Sequence, residues 1–194
     1  MKNLLLVITL ALYCALPSIA ATINVPTQYS TIQSGIDAAV NGDTVLVADG
    51  VYSGTRNIDL DFSGRTITLI STGGPANCII DCESSGRGFN FHSGENRTSV
   101  VEGFTVINGY ISDNGGGISV VNSSPSLKNC IIADNQSNNH DGGGVYVNNG
   151  APIFLNCTFY RNTARYGDGG GIYSVNSSMI VNSSIFYNNR ATSS

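Results

Sequence analysis

The sequence predicts an all-β fold, a parallel β-helix of about six coils with a short capping helix at its N-terminal end. The first observation is a repeat: Gly-Gly-Gly-(Ile/Val) begins at residues 115, 142 and 169, at a constant spacing of 27. The second is that residue type is kept within columns of the repeat, as in Asn135, Asn162 and Asn189. The third is that short Ile, Val, Phe and Tyr runs are cut by Gly, Asn and Ser, which favours strands and turns. Together these features are typical of a solenoid.

Each repeat unit is expected to hold up to three short strands. In one unit these are Ile118–Val121, a run around Leu127 and Cys130–Ile132. Stacked coils lie about 4.8 Å apart, so equivalent residues lie above one another. The stacked asparagines are therefore expected to form a ladder of side-chain amides at a turn.

A less regular copy of the repeat precedes the others. Read without an insertion, it places Thr105 in the column of Ile132 and Asn108 in the column of Asn135. Still earlier, apolar runs at 44–48 and 66–70 are expected to form the first coils.

Residues 1–20 have the features of a secretory signal peptide. Lys2 supplies the positive charge, an apolar run follows, and Ser18-Ile19-Ala20 forms a small-residue cleavage site. The apolar run is too short to predict a membrane span, so we expect no transmembrane segment in the mature chain. The expected location is secreted or on the outer cell surface.

Residues 21–43 are predicted to form an N-terminal cap. Ser30 and Gln33 read as a capping box, and Ile32, Ile36, Ala39 and Val40 recur at helical spacing. A helix laid across the first coil would cover its open strand edges. The parallel β-helix itself is predicted for residues 44–194, with regular repeats from about 88.

The C-terminal boundary leads to a further expectation. The sequence stops at Ser194, shortly before the next Gly triplet would be due. Either the last coil is frayed or the chain is truncated; we expect truncation, with further coils of a longer parent chain beyond it.

The Gly-Gly-Gly-(Ile/Val) and Phe-x-x-Asn elements, at 115–118, 142–145, 169–172, 159–162 and 186–189, resemble the repeats of polymorphic outer-membrane proteins. They are also similar to secreted bacterial proteins of the pectin-lyase-like superfamily. The resemblance covers nearly all of residues 22–194 and implies a right-handed parallel β-helix. It does not imply one activity, because this superfamily contains enzymes, adhesins and inert stalks.

Composition excludes several classes of function. The chain has a net charge of −4, and only 11% of its residues are charged, which disfavours binding to nucleic acid. Two histidines and widely spaced cysteines disfavour a zinc site.

Four cysteines follow the signal peptide, and secretion permits disulfides. Cys78 and Cys82 are close enough in sequence for a local bridge across a bend. Cys130 and Cys157 lie one coil apart in one column, where either a disulfide or a stack of free thiols fits.

Few residues are candidates for catalysis. Asp134 and Arg161 share a column and are expected to form an exposed ion pair, and Arg165 is a further cationic candidate. Pectate lyases of the resembled superfamily have Asp-clustered calcium sites and an essential Arg, and their Trp-containing signature is absent from this Trp-free chain. No catalytic residue is transferred from that resemblance.

Two further columns have binding chemistry. Tyr146 stacks on Tyr173 and Tyr160 on Tyr187, and outward-facing tyrosines at this spacing can stack on sugar rings. The alternative is ordinary strand composition.

Asp141 and Asp168 stack one coil apart, immediately before the Gly triplets. They are candidates for holding Ca²⁺, since neighbouring carboxylates repel unless a cation relieves them. The alternative is solvated turn aspartates that accept N–H bonds from the glycines.

The leading functional hypothesis is a secreted or cell-surface domain with a structural, adhesive or glycan-binding role. No cofactor is required, with Ca²⁺ as an option, and polysaccharide or surface glycan is the expected partner. The alternative is a pectate-lyase-like polysaccharide lyase, or another carbohydrate-active enzyme acting on acidic polysaccharide. It would need several acids and an Arg or Lys converging in one groove, whereas the sequence favours a non-enzymatic role.

Overall fold

Short parallel strands account for nearly all of the regular structure. The computed structural model describes residues 19–192, and the predicted signal peptide lies almost entirely outside them. The single described helix is α1 (Ile32–Ala38). In chain order the strands are β1 (Thr22–Val25), β2 (Thr44–Val47), β3 (Gly50–Ser53), β4 (Thr68–Ser71), β5 (Cys78–Asp81), β6 (Phe89–Phe91), β7 (Val100–Glu102), β8 (Thr105–Ile107), β9 (Tyr110–Ile111), β10 (Ile118–Val121), β11 (Ser126–Lys128), β12 (Ile131–Ala133), β13 (Gln136–Asn138), β14 (Val145–Asn148), β15 (Ile153–Leu155), β16 (Thr158–Tyr160), β17 (Thr163–Arg165), β18 (Ile172–Val175), β19 (Ile180–Asn182), β20 (Ile185–Tyr187) and β21 (Arg190–Thr192).

The strands form four sheets that run along the solenoid, with every pairing parallel. We name them sheet A (β1-β2-β4-β7-β11-β15-β19), sheet B (β3-β5-β8-β12-β16-β20), sheet C (β6-β10-β14-β18) and sheet D (β9-β13-β17-β21). The predicted solenoid of about six turns, with one short helix near its N-terminus, is confirmed. Strand β1 already pairs with β2, so the solenoid begins inside the segment assigned to the cap.

A regular coil passes through sheets C, A, B and D in turn, so it holds four strands where the sequence predicted up to three. The missed strand is the one in sheet D, for example β13, which reads Gln-Ser-Asn. Only its central Ser137 faces inward and is buried. Such a short polar strand has no hydrophobic pattern by which it could be recognised.

The register of the first, less regular copy differs from the prediction by one residue. Thr105 pairs with Ile131, not Ile132, and Asn108 consequently occupies the turn position of Asp134. The connection from β9 to β10 is one residue shorter than that from β13 to β14, as the two registers show. The predicted alignment without an insertion was therefore wrong in this coil, although the Gly triplets keep their spacing.

Helix α1 covers the first coil as predicted, but its cap differs. Thr31, not Ser30, is the N-cap, and its side chain accepts a hydrogen bond from the Ser34 N–H. The Gln33 side chain instead accepts from the Asp61 N–H and donates to the Asp61 carbonyl. A true capping box needs Gln33 to reach the backbone of the cap residue, and that side chain is bound to the next coil.

The apolar face of α1 packs directly on the first two strands. Ile32 and Ile36 are fully buried, whereas Val40 is 53% exposed and lies outside the predicted face. At Gly35 the helix comes so close that an added Cβ would lie 2.8 Å from the Val25 side chain. The helix thus closes the N-terminal end of the core.

The core is a continuous column of side chains inside the four sheets. Its largest fully buried members are aromatic: Phe62, Phe89, Phe91, Phe104, Phe154 and Phe159. Phe159 stacks on Phe186 of the last coil, with ring centroids 4.5 Å apart. Within residues 19–192, no helix is long and apolar enough to cross a membrane.

All four described cysteines are free and buried. Cys78 at the start of β5 and Cys82 just after its end are both buried in the core. Four residues of extended strand separate their Cα atoms by about 13 Å, which is too far for a disulfide, so the predicted local bridge was wrong. Burial raises the pKa of both thiols to about 12. Cys130 and Cys157 stack as free thiols in neighbouring coils, which is one of the two predicted alternatives.

Candidate functional site

A polar cleft lies at the corner between sheets B and D in the last three coils. Its volume is about 480 Å³. Seven residues line it: Asp134, Asn135, Gln136, Arg161, Thr163, Asn188 and Arg190. The lining offers amide, hydroxyl, guanidinium and carboxylate groups, which can bind a ligand with many hydroxyls.

The corner is sharp because one residue per coil adopts the left-handed backbone conformation. These turn residues are Asn108, Asp134, Arg161 and Asn188, each with φ between 54° and 56°. Asparagine and aspartate tolerate this conformation, whereas an arginine rarely adopts it. Arg161 is held there because its backbone N–H donates to the Tyr187 carbonyl of the next coil.

An asparagine ladder fixes the corner, as the sequence predicted, with Asn135 and Asn162 buried and Asn189 partly buried. The side-chain amide of Asn135 donates to Asn162 Oδ1, and that of Asn162 donates to Asn189 Oδ1, both at 3.0 Å. Each amide oxygen also accepts the backbone N–H of the asparagine one coil earlier, at 3.1 and 3.0 Å. The side chains on either side of the ladder are consequently presented from a rigid backbone.

The predicted ion pair is present in the cleft. Arg161 Nε lies 3.0 Å from Asp134 Oδ1, and both side chains are about half exposed, at 58% and 40%. An exposed pair of this kind contributes about 0.2–1 kcal/mol. The Arg161 guanidinium also lies 5.7 Å from the centroid of the Tyr160 ring, so the cleft borders an aromatic surface.

Both tyrosine pairs are stacked as predicted. Tyr160 and Tyr187 lie on sheet B beside the cleft, with centroids 5.7 Å apart and rings 3° from parallel. Tyr146 and Tyr173 lie on sheet C, 5.8 Å apart, away from the cleft. The structure therefore brings one pair to the cleft and not the other.

The Asp141 column lies beside the second tyrosine pair. Partial burial and then the charge of Asp141 raise the pKa of Tyr146. Asp141 Oδ1 accepts the Asp168 N–H at 2.8 Å, and the Asp141 N–H donates to Asn114 Oδ1. The carboxylate thus accepts an N–H bond at a turn, although the donor is Asp168 of the next coil and not a glycine.

A metal site at this column stays a prediction. Among residues 19–192, no group of three or more His, Cys, Asp or Glu residues lies close enough to hold a metal ion. Arg165 lies outside the cleft, with its guanidinium 5.0 Å from the centroid of the Tyr166 ring.

Sequence reasoning missed four of the cleft residues that contribute side chains: Gln136, Thr163, Asn188 and Arg190. Three of them form one column of sheet D, because Gln136 pairs with Thr163 and Thr163 with Arg190. The repeat could have revealed this column, since each of its three residues directly follows a ladder asparagine in the sequence. Because the sequence did not predict the strand in sheet D, it could not show that the side chains of this column face outward.

The repeat, the four parallel sheets and the buried ladder agree with the comparison to known families. The family described as right-handed β-helix region matches residues 39–193. The chain belongs to this right-handed β-helix family. The predicted right-handed β-helix is thereby confirmed, while the resemblance of the repeats to polymorphic outer-membrane proteins stays a prediction.

Two solved structures are similar to this β-helix. One is a pectin methylesterase mutant in complex with a hexasaccharide, with a TM-score of 0.54 and 11% identity over 88% of this chain. The chain spans 66% of that protein's length. The other is the pectin methylesterase from Aspergillus niger in deglycosylated form, with a TM-score of 0.38, 14% identity, and coverage of 93% of this chain and 88% of that one. At 11% identity, the likeness to the first of these shows the fold alone. A search of the curated proteins found no match.

Proposed function

We propose that this chain is a secreted or cell-surface β-helix domain that binds glycan through the cleft between sheets B and D, in a structural or adhesive role. The observation that carries the proposal is the position of the stacked Tyr160–Tyr187 pair directly beside a cleft of hydrogen-bonding side chains. Aromatic rings pack on the apolar faces of sugars, while amides, hydroxyls and guanidinium groups bind sugar hydroxyls.

The rigidity of the corner supports binding. The cleft side chains project from strands β13, β17 and β21 and from turns that are fixed by the buried ladder. A preorganised site loses little conformational freedom when a ligand binds. The structurally similar pectin methylesterase mutant was crystallised with a hexasaccharide, which is consistent with a carbohydrate ligand. Secretion rests on the signal-peptide features of residues 1–20.

A second candidate is an enzyme that acts on acidic polysaccharide, such as a uronate lyase. It is favoured by the presence of Asp134 and Arg161 together in the cleft, since such a reaction needs a base and a cationic group. However, Asp134 is the single carboxylate that lines the cleft, and it is engaged by Arg161 at 3.0 Å. Because this one carboxylate is already bound by Arg161, the lining lacks the several converging acids that such a reaction needs, and binding without turnover is the better-supported function.

Calorimetric titration of residues 21–194 against a panel of neutral and acidic polysaccharides tests the proposal. Tyr187→Ala should weaken binding of the best ligand about fivefold, because Tyr187 is 60% exposed and contributes stacking without supporting the core. Tyr173→Ala is the matched control: it removes an equivalent stacked ring from sheet C and should leave the affinity unchanged. Equal losses in both variants, or no binding to any glycan, would contradict the proposed site.

A further inference from the structure

The cleft is built from two rows of equivalent positions that run parallel to the solenoid axis. One row consists of the turn residues Asp134, Arg161 and Asn188, and the other of the sheet D residues Gln136, Thr163 and Arg190. Each coil contributes one residue to each row, on either side of its ladder asparagine. The cleft is therefore elongated along the axis and spans three coils.

The spacing of these rows matches a linear polymer. Neighbouring coils are about 4.8 Å apart. An extended polysaccharide advances by a comparable distance per pyranose residue, so a chain lying along the axis meets the same pair of positions once per sugar. A polysaccharide running across the coils would instead meet one turn residue and then leave the cleft over sheet B or sheet D.

The charges in the cleft are not balanced. Arg161 is paired with Asp134, whereas Arg190 forms no ion pair within residues 19–192. From residue 134 onward the sequence has three arginines and three aspartates, so the coils that form the cleft are close to neutral although the whole chain is acidic. The cleft lining itself has two arginines and one aspartate, so its excess positive charge is that of Arg190.

We infer that the cleft takes a linear acidic polysaccharide lying parallel to the solenoid axis, one sugar per coil over three coils, with a carboxylate of the sugar at the last coil bound by Arg190. This inference rests on the proposed function and adds to it the charge and the direction of the ligand and, for residues 21–194, the number of sugars bound. Arg190 presents a planar set of N–H donors that suits a carboxylate. Gln136 occupies the equivalent position at the other end of the row and would bind the third sugar through its amide.

Oligogalacturonides of one to six residues, together with their methyl esters, are the probes for calorimetric titration. Affinity should rise up to three residues and then level off. Arg190→Gln should lower the affinity for the acidic trimer about fivefold and leave that for the methyl ester unchanged, and Arg190→Lys should retain part of the acidic preference. Gln136→Ala should make the trimer bind like the dimer. Arg97→Gln, which removes the same charge at an exposed site outside the cleft, is the control.

The possible results separate the inference from the proposed function. If glycans bind with an affinity that keeps rising beyond three residues, the axial arrangement is refuted while glycan binding stands. If Arg190→Gln and Arg97→Gln behave alike, the carboxylate contact of Arg190 is refuted while glycan binding stands. If no glycan of any length or charge binds, both fail. Circular dichroism of each variant identifies a loss that comes from misfolding, and Arg190→Lys then decides whether the charge at this position is used.

Discussion

Removing the central amide of the asparagine ladder should destabilise the whole solenoid. Asn162 is fully buried, and its side chain donates to the Ile132 carbonyl at 2.8 Å and to Asn189 Oδ1 at 3.0 Å. Its amide oxygen accepts both the backbone N–H and the side-chain amide of Asn135. In Asn162→Ala, the buried Asn135 N–H loses its acceptor, which costs about 1–3 kcal/mol, and each further lost bond costs about 1 kcal/mol.

The expected loss in the free energy of unfolding is therefore about 4–6 kcal/mol, a large share of the roughly 5–15 kcal/mol typical of a domain. Urea unfolding followed by circular dichroism measures it. Asn138→Ala is the matched control, because the Asn138 side chain is half-buried and forms no hydrogen bond within residues 19–192; it should change the free energy by less than about 0.5 kcal/mol. A loss below about 1 kcal/mol in Asn162→Ala would refute the structural role of the ladder.

Two further predictions concern buried titratable groups. Burial raises the pKa of Glu95, but N–H bonds from Gly64 and Ser93 and a hydroxyl bond from Ser123 outweigh it, so the pKa is lowered. Glu95 therefore stabilises the fold above its unfolded pKa of about 4.3, and the wild type should lose this stability as the pH falls through the folded pKa. Glu95→Gln should be less stable at neutral pH and lose less on acidification in urea titrations; an unchanged pH profile would contradict this role. The Cys78 and Cys82 thiols, with pKa values of about 12, should react with a thiol reagent at pH 8 only after unfolding, and rapid reaction of the native protein would contradict their burial.

The period of the repeat allowed most of the fold to be predicted. Equivalent positions of successive coils lie above one another, so each column holds similar residues. The constant spacing of the Gly triplets and of Asn135, Asn162 and Asn189 was therefore enough to identify the coils and the asparagine ladder. The prediction was wrong where the pattern carried no signal. Strand β13 is short and polar, and the shortened connection after β9 changes the register without changing the triplet spacing.

The candidate site was predictable only in part. The Asp134–Arg161 pair follows from a single column and was confirmed, as were the stacks of Tyr160 on Tyr187 and of Tyr146 on Tyr173. The Tyr160–Tyr187 stack borders the cleft because sheet D follows sheet B at this corner. The short polar strands of sheet D have no hydrophobic pattern, so the sequence could not show which stack lies beside a cleft. Arg190 consequently entered the site only once its pairing with Thr163 was known.

Simultaneous binding and turnover measurements on one sample test the central claim most directly. Residues 21–194 are titrated with oligogalacturonide in the calorimeter, and the same mixtures are followed by the ultraviolet absorbance of unsaturated uronates, with and without Ca²⁺. We expect saturable binding, weakened by Tyr187→Ala, with a flat absorbance trace. A rising trace that is lost in Asp134→Asn would show a lyase and contradict a purely binding role, and the absence of any binding would contradict the glycan site itself.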